Sequence, residues 1–343
     1  MSQVSLLDEA KLLTYLEAHV EGFAGPITVS KFDGGQSNPT FKIDAASGSY
    51  VLRRQPPGAL LKSAHAVDRE YRVLNALAST DVPVARVYHL CEDRDIIGSM
   101  FYLMEYCDGN VHWRPELNEI DDPALRGQMY DEMIRVMAAI HSVDLEKTGL
   151  TDYGRPGNYF LRQLDRWTAQ YRASELETID EMEKLINWLE KHMPEDDGKV
   201  SLVHGDYRLD NLMYAPDNGR IIAVLDWELS TLGHPYADLA YLLMGMKLPA
   251  SDKKGMVSGL GQIDWVTHGI PDEAQIVARY CALTGSAKIE NWDFYMAFSF
   301  FRLAAICQGV AKRALDGNAS NAKANNVAGL VRPLAQLSMH YIA

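Results

Sequence analysis

Two segments near the middle of the chain hold the residues best suited to chemistry. The first, 202–211, contains His204, Gly205 and Asp206, followed by Asn211. The second, 222–227, ends an apolar run at Asp226. Transfer of a γ-phosphoryl group needs a carboxylate to orient or deprotonate the accepting hydroxyl, and further oxygen ligands to hold Mg²⁺ against nucleotide phosphates. Asp206 is the candidate base, and Asn211 and Asp226 are the candidate metal ligands. Apolar residues flank the pair Asn218-Gly219, which favours a tight hairpin, and a hairpin centred there sets Asn211 nearly opposite Asp226. Taken singly, each aspartate is more often a turn or cap residue and His204 a structural histidine. The joint pattern of spacing, hairpin and flanking strands is what points to catalysis.

His204-Gly205-Asp206 with Asn211, then Asp226, then Asp238-Leu239-Ala240, resembles the aminoglycoside phosphotransferase family of the protein-kinase-like superfamily. The spacing from Asp206 to Asn211 also matches the kinase catalytic loop H-R-D-x-x-x-x-N, with Gly205 in the arginine's place. That loss implies that no phosphorylated activation loop needs an anchor, as in a small-molecule kinase. The likeness is greatest to the kinase-like domain that precedes acyl-CoA dehydrogenase modules in some fusion proteins, and it covers Phe32 to about Arg313. It implies a two-lobed α+β, protein-kinase-like fold. Residues 1–107 would form a nucleotide-binding lobe with a small sheet, and 108–343 a larger helical lobe carrying the catalytic hairpin. ATP and Mg²⁺ are the implied cofactors and a hydroxylated small molecule the implied acceptor, with a hydroxyacyl compound or its CoA thioester suggested by association alone.

The elements that must position these residues are legible upstream. Residues 27–32 and 40–44 read as strands joined by a loop in which Gly34 and Gly35 let the backbone approach phosphate oxygens, while Ser37 and Asn38 add donors. The loop departs from the kinase G-x-G-x-x-G pattern, and an isolated Gly-Gly reads as well as an ordinary hairpin turn. Residues 50–53 read as a strand with Val51 and Arg53 on one face. The kinase pattern puts the adenine contact and the phosphate-pairing lysine there, so an arginine stands in for the lysine, either Arg53 or Arg54. A helix over 63–79 carries Val67, Tyr71, Leu74, Leu77 and Ala78 as a stripe, and Glu70 falls on it. Its carboxylate either pairs with Arg53, as in the kinase strand-to-helix ion pair, or reaches solvent from the stripe's edge. Strands at 86–90 and 100–106 complete the sheet, and adenine would bond to backbone near Glu105 and Tyr106.

The remainder reads as helical, over 125–142, 159–171, 177–192, 236–246, 273–283 and 292–315. Met129, Met133, Met137 and Ile140 make a stripe read as core. Asp238, in the first turn of its helix, is expected to cap backbone N–H groups and brace the catalytic loop. Glu228 and His234 remain open between site and solvated or structural roles. The aperiodic stretch 247–261, rich in small residues, reads as a substrate-covering loop or a plain connection.

A chain of 343 residues exceeds what one core organises, so two lobes are expected. Its 33 basic against 46 acidic residues, a net charge of −13, oppose nucleic-acid or anionic-membrane partners. Cysteines at 91, 107, 281 and 307 lack metal-ligand spacing and suit a reducing, cytoplasmic compartment. No apolar run is expected to span a bilayer, and the opening Met1 to Ser5 does not read as a signal peptide. The partner expected is the hydroxylated substrate, with a homodimer left open. The reading from another class is a catalytically silent nucleotide-binding module, or pseudokinase, acting through a protein partner. The arginine in the lysine's place favours it, and intact Asp206, Asn211 and Asp226 oppose it.

Overall fold

The computed structural model describes residues 7–32, 38–56, 66–251, 258–316, 327 and 329–342. The chain divides into two compact units. One comprises Met1–Asn110, Thr148–Leu150 and Leu212–Leu229, and the other Val111–Lys147, Thr151–Asn211 and Ser230–Ala343.

The first unit opens with α1 (Glu9–His19), whose N-cap Asp8 accepts a hydrogen bond from the Lys11 backbone N–H. Strands β1 (Ile27–Lys31), β2 (Thr40–Ala45) and β3 (Gly48–Arg54) follow, then α2 (Val67–Leu77), β4 (Val87–Cys91) and β5 (Phe101–Glu105). The five strands form one antiparallel sheet in the order β1-β2-β3-β5-β4. Alternation along β3 divides its two faces. Tyr50 and Leu52 join the apolar core built with Leu12 and Leu16 of α1, and Val51 and Arg53 take the other side. On α2 the buried stripe is Val67, Glu70, Val73, Leu74 and Leu77. Glu70 therefore lies within the buried face, whereas Ala78, expected on the stripe, is exposed.

After β6 (Asn110–Val111), the hairpin of β8 (Leu212–Tyr214) and β9 (Ile221–Val224) belongs with this unit. The Val224 N–H donates to the Pro83 carbonyl at 2.9 Å. Gly109 sits so close that an added Cβ would lie 2.7 Å from the side chains of Met213 and Ile222. The hairpin differs from the tight turn expected at Asn218-Gly219. Ala215 N–H bonds the Arg220 carbonyl, Asn218 Oδ1 accepts from the Arg220 N–H, and the register shifts between Met213 and Tyr214. Leu212 pairs with Val224, so Asn211 precedes the first paired residue and Asp226 lies two beyond the last.

The second unit is mainly helical: α3 (Pro123–His141), α4 (Tyr159–Ser174), α5 (Asp180–Lys191), α6 (Tyr236–Met246), α7 (Glu273–Thr284), α8 (Trp292–Leu315) and α9 (Val331–Ser338). The start signals are local. Asp122 caps α3 ahead of Pro123, and Asp272 with Gln275 forms a capping box on α7, which Gly285 ends at φ 70°. Met129, Met133, Met137 and Ile140 are all buried, in line with a core stripe. Helix α8 packs against α4, α5, α6 and α9. It corrects one expectation, being long and apolar enough by length and composition to cross a membrane. Yet 83% of its most apolar window is buried inside the protein, as befits a core helix. Two three-residue strands, β7 (Ser201–Val203) and β10 (Thr231–Gly233), pair antiparallel beneath the segment that follows Val203. Of the stretch 247–261, 252–257 lie outside the described residues. Its ends are tied together by Leu260 N–H to the Met246 carbonyl and Gly259 N–H to the Pro249 carbonyl.

Candidate functional site

In the first unit, six polar side chains meet around the α2 side of the sheet. Arg53 Nε lies 2.7 Å from Glu70 Oε2, off the N–H direction, so the contact is an ion pair more than an aligned hydrogen bond. Arg53 Nη2 donates to Asp226 Oδ1 at 2.6 Å and is 3.9 Å from Glu228 Oε2. Glu70, with 2% of its side chain exposed, also accepts from Asn38 Nδ2 at 2.8 Å and from the Tyr102 hydroxyl at 3.1 Å. Tyr102 pairs with Arg53 across the β3–β5 ladder, which is why both reach the same carboxylate. Burial drives the Glu70 carboxyl up, with the Arg53 guanidinium opposing. Burial also works against charge on Arg53, but Glu70 and then Asp226 and Glu228 overcome it and hold the guanidinium above the ordinary arginine range.

Arg54, the other candidate for the lysine's place, points elsewhere and gives Nε to Ser99 Oγ at 2.9 Å. Asn38, expected to donate to phosphate, is buried and spends its amide on Glu70. Gly34, Gly35 and Ser37 lie outside the described residues. Val51 is buried on the Arg53 face, Glu105 ends β5 with its N–H on the Arg86 carbonyl, and Tyr106 lies under the Lys42 ammonium at 4.7 Å. Asp226 sits at φ 60°, a left-handed conformation that few non-glycine residues adopt.

In the second unit, strand β7 delivers the chain to His204 and a 3-10 turn (Leu209–Asn211) closes the loop. Asp206 is held through Asn211, whose Nδ2 donates to the Asp206 carbonyl at 2.8 Å and to Oδ2 at 3.2 Å. Arg208 Nε approaches Asp206 Oδ1 at 4.0 Å, and burial, with the Asp206 charge adding to it, pushes the Tyr241 hydroxyl up. The loop itself is anchored from beneath by Tyr207, fully buried, whose hydroxyl donates to the Met133 carbonyl at 2.7 Å.

Asp238 braces this loop and does not cap its own helix. Its Oδ2 accepts from the His204 N–H at 2.6 Å and its Oδ1 from the Gly205 N–H at 2.9 Å. His141 Nε2 lies 3.3 Å from Oδ2, while its Nδ1 meets the Tyr280 hydroxyl at 2.7 Å. Burial alone would raise the Asp238 carboxyl; the His141 contact, with His204 and the Gly205 N–H, outweighs it and leaves the carboxyl below its ordinary value. His204, fully buried, accepts the Asp206 N–H on Nδ1 and is structural. So is His234, whose Nδ1 accepts the Tyr236 N–H and whose Nε2 faces Asp197 at 3.3 Å.

Sequence reasoning did not single out Tyr241, Arg208 or Arg302. Tyr241 lies one helical turn after Asp238 and so shares its face, a usable signal. Arg302 donates Nη2 to the Gly205 carbonyl at 2.7 Å from far along the chain, where no local pattern marks it.

A sequence profile described as "Phosphotransferase enzyme family" matches residues 28–268. The chain belongs to that family. It is 46% identical to mouse acyl-CoA dehydrogenase family member 10 over 95% of this chain and 31% of that protein. It is 42% identical to Arabidopsis thaliana probable acyl-CoA dehydrogenase IBR3, covering 98% of this chain and 43% of that one. The chain thus spans less than half the length of these relatives. Among solved structures, a candidate aminoglycoside phosphotransferase from Ralstonia eutropha JMP134 superposes with a TM-score of 0.90 at 48% identity, covering 98% of each chain. A hygromycin-bound mutant of aminoglycoside phosphotransferase APH(4)-Ia, in ternary complex with AMP-PNP, gives a TM-score of 0.64 at 15% identity over 98% of each chain, a likeness of fold. The kinase-like α+β fold expected from the motifs is therefore the fold of this family, with a small N-terminal antiparallel sheet and a helical C-terminal part.

Proposed function

We propose that the protein is an ATP-dependent small-molecule kinase that moves the γ-phosphoryl group to a substrate alcohol, the acceptor being a hydroxyacyl compound or its CoA thioester. The observation that supports this most is the restrained carboxylate of Asp206, clasped by Asn211 at 2.8 and 3.2 Å in a loop pinned by Asp238. In this reading the acceptor hydroxyl surrenders its proton to Asp206 as its oxygen bonds the γ-phosphorus. The bond from that phosphorus to the β–γ bridging oxygen breaks, and ADP leaves.

Asn211 of the second unit and Asp226 of the first each carry an oxygen of the kind Mg²⁺ takes. The Asn211 amide nitrogen is turned to Asp206, which leaves its carbonyl oxygen for a cation. Asp226 engages Arg53 through Oδ1 alone. Mg²⁺ is held by few protein oxygens and takes its remaining ligands from phosphates and water. When bound, the ion would neutralise charge on the transferring phosphates. Arg53, held by Glu70, would steady the phosphate oxygens. The acceptor class rests on relatives whose names join this family to acyl-CoA chemistry.

The test is ADP release with MgATP and a panel of hydroxy acids, sugars and straight-chain hydroxyacyl-CoA thioesters. At least one acceptor is expected to raise the rate well above the hydrolytic background. Asp206→Asn is expected to abolish that rate while leaving MgATP affinity within a few-fold. Retained turnover in this variant would remove Asp206 from its role. Silence of the native protein toward every acceptor, with MgATP bound, would favour the pseudokinase reading.

A further inference from the structure

Three arginines gather where α4 packs on α8, next to the catalytic loop. Arg302 of α8 donates Nη2 to the Gly205 carbonyl at 2.7 Å, one residue before Asp206. Its guanidinium lies 5.8 Å from the Trp167 ring centre and 5.1 Å from that of Tyr241, and its Nε is buried with no hydrogen-bond partner among the described residues. Arg166, exposed on α4, lies 5.3 Å from the centre of the same indole, so Trp167 carries two guanidinium groups. Arg162 stands one helical turn before Arg166 and donates to backbone carbonyls, that of Arg155 at 2.6 Å and that of Pro156 at 3.3 Å. Burial pushes the Tyr159 hydroxyl up, while the charges of Arg302, Arg162 and Arg166 each pull it back, in keeping with three cations around one region. Among the described residues no carboxylate pairs with any of the three. This seam is therefore cationic in a chain whose net charge is −13.

We propose that the α4–α8 seam binds an anionic group of the acceptor, a carboxylate or phosphate carried by the same molecule whose hydroxyl meets Asp206, with Arg166 and Arg302 as its ligands and Arg162 adding to the field. This rests on the phosphotransferase reading above. Cations held together without counter-ions repel one another, and an anion between them relieves that cost. A guanidinium offers five donors in a fork that matches a carboxylate or phosphate, and Arg302 spends one of them on Gly205. The Trp167 ring, against which both guanidinium groups sit, restrains them without neutralising them. Because Arg302 also holds the residue before Asp206, a charge bound at the seam fixes the rest of the acceptor relative to the carboxylate that takes its proton. The same field repels a cationic acceptor, so the seam selects the sign of the substrate charge as well as its position.

The experiment follows phosphorylation from MgATP by the full chain, native or carrying Arg166→Gln, Arg166→Glu or Arg302→Lys. The acceptors are straight-chain hydroxy acids, the primary amides of the same acids, their CoA and pantetheine thioesters, and hygromycin B as a cationic amino sugar. The native protein is expected to favour an anionic acceptor over its neutral counterpart by about tenfold or more in kcat/KM and to leave the amino sugar unmodified. Arg166→Gln should raise KM for that anionic acceptor about tenfold, the worth of one charge-assisted hydrogen bond, with kcat and the neutral counterpart within about twofold. Arg166→Glu should raise the same KM further, and Arg302→Lys, which keeps the charge but not the fork, should raise it less. A carboxylate ligand shows as an effect on the free acid against its amide, a phosphate ligand as an effect on the CoA thioester against the pantetheine thioester. Turnover without preference for the charged acceptor, preference for the amino sugar, or equal changes for charged and neutral acceptors in Arg166→Gln overturns the inference and leaves the phosphotransferase reading standing. A native protein that binds MgATP yet phosphorylates no acceptor refutes that reading, and the inference falls with it.

Discussion

Replacing Asp238 by asparagine isolates the brace from the chemistry, because the carboxylate touches only backbone N–H groups and His141. The substitution preserves volume but not pairing. An asparagine offers one oxygen, so one of the two N–H groups keeps a weaker, neutral hydrogen bond and the other faces an amide NH₂. A buried N–H left unsatisfied costs about 1–3 kcal/mol, and loss of charge assistance on the remaining bond adds about 1 kcal/mol. The site is 1% exposed, so water does not make up the difference. The expected destabilisation is about 2–4 kcal/mol, seen as a lower urea midpoint. The damage should be local as well: hydrogen exchange at the His204 and Gly205 amides should accelerate more than elsewhere in the second unit. The pH dependence carries a definite sign. Because the folded Asp238 carboxyl lies below its ordinary value, its contribution is complete above the unfolded value near 3.9 and is lost as pH falls through the folded one. The native advantage over Asp238→Asn should therefore hold at neutral pH and shrink only below about pH 4. Native protection at both amides in the variant would refute the reasoning.

Three further outcomes follow from the same structure. Arg53→Met strands Glu70 in the interior and should destabilise the protein by about 3 kcal/mol, whereas Arg53→Met combined with Glu70→Gln should cost less than the single change; additive costs in a double-mutant cycle would count against the pair. His234, lowered by burial to about 4 although Asp197 opposes the shift, favours the folded state only when neutral. Stability should thus decline as pH falls from about 6.5 toward 4, by up to about 3 kcal/mol, and His234→Gln should flatten that slope in urea titrations. At Gly154 an added Cβ would lie 2.5 Å from the Leu232 backbone nitrogen, so Gly154→Ala should cost roughly 1–3 kcal/mol by separating this segment from β10; an unchanged thermal midpoint would refute the close packing.

What could be read in advance depended on how local the cause was. Helices α6 and α8 coincide with runs of apolar residues, because burial on nearly every side is written into consecutive positions. The Arg53–Glu70 contact was legible for the same reason: a carboxylate on a buried stripe demands a cation, and the β3 alternation supplies one. The α1 helix and α9 were not singled out. The strands β7 and β10 are too short for any period to register, though they set the start of the catalytic loop. The hairpin turn misled because Asn218-Gly219 favours a two-residue connection, whereas the Ala215-to-Arg220 bond and the irregularity at Met213/Tyr214 make a wider one. Asn38 shows the limit most clearly. A polar residue beside a glycine pair invites a phosphate role, yet a buried carboxylate nearby competes for the same amide, and an unpaired charge in the interior outweighs a contact to solvent-exposed phosphate. Such competition is decided by which groups fold together, and only three-dimensional proximity brings Glu70 to Asn38, or Arg302 to Gly205.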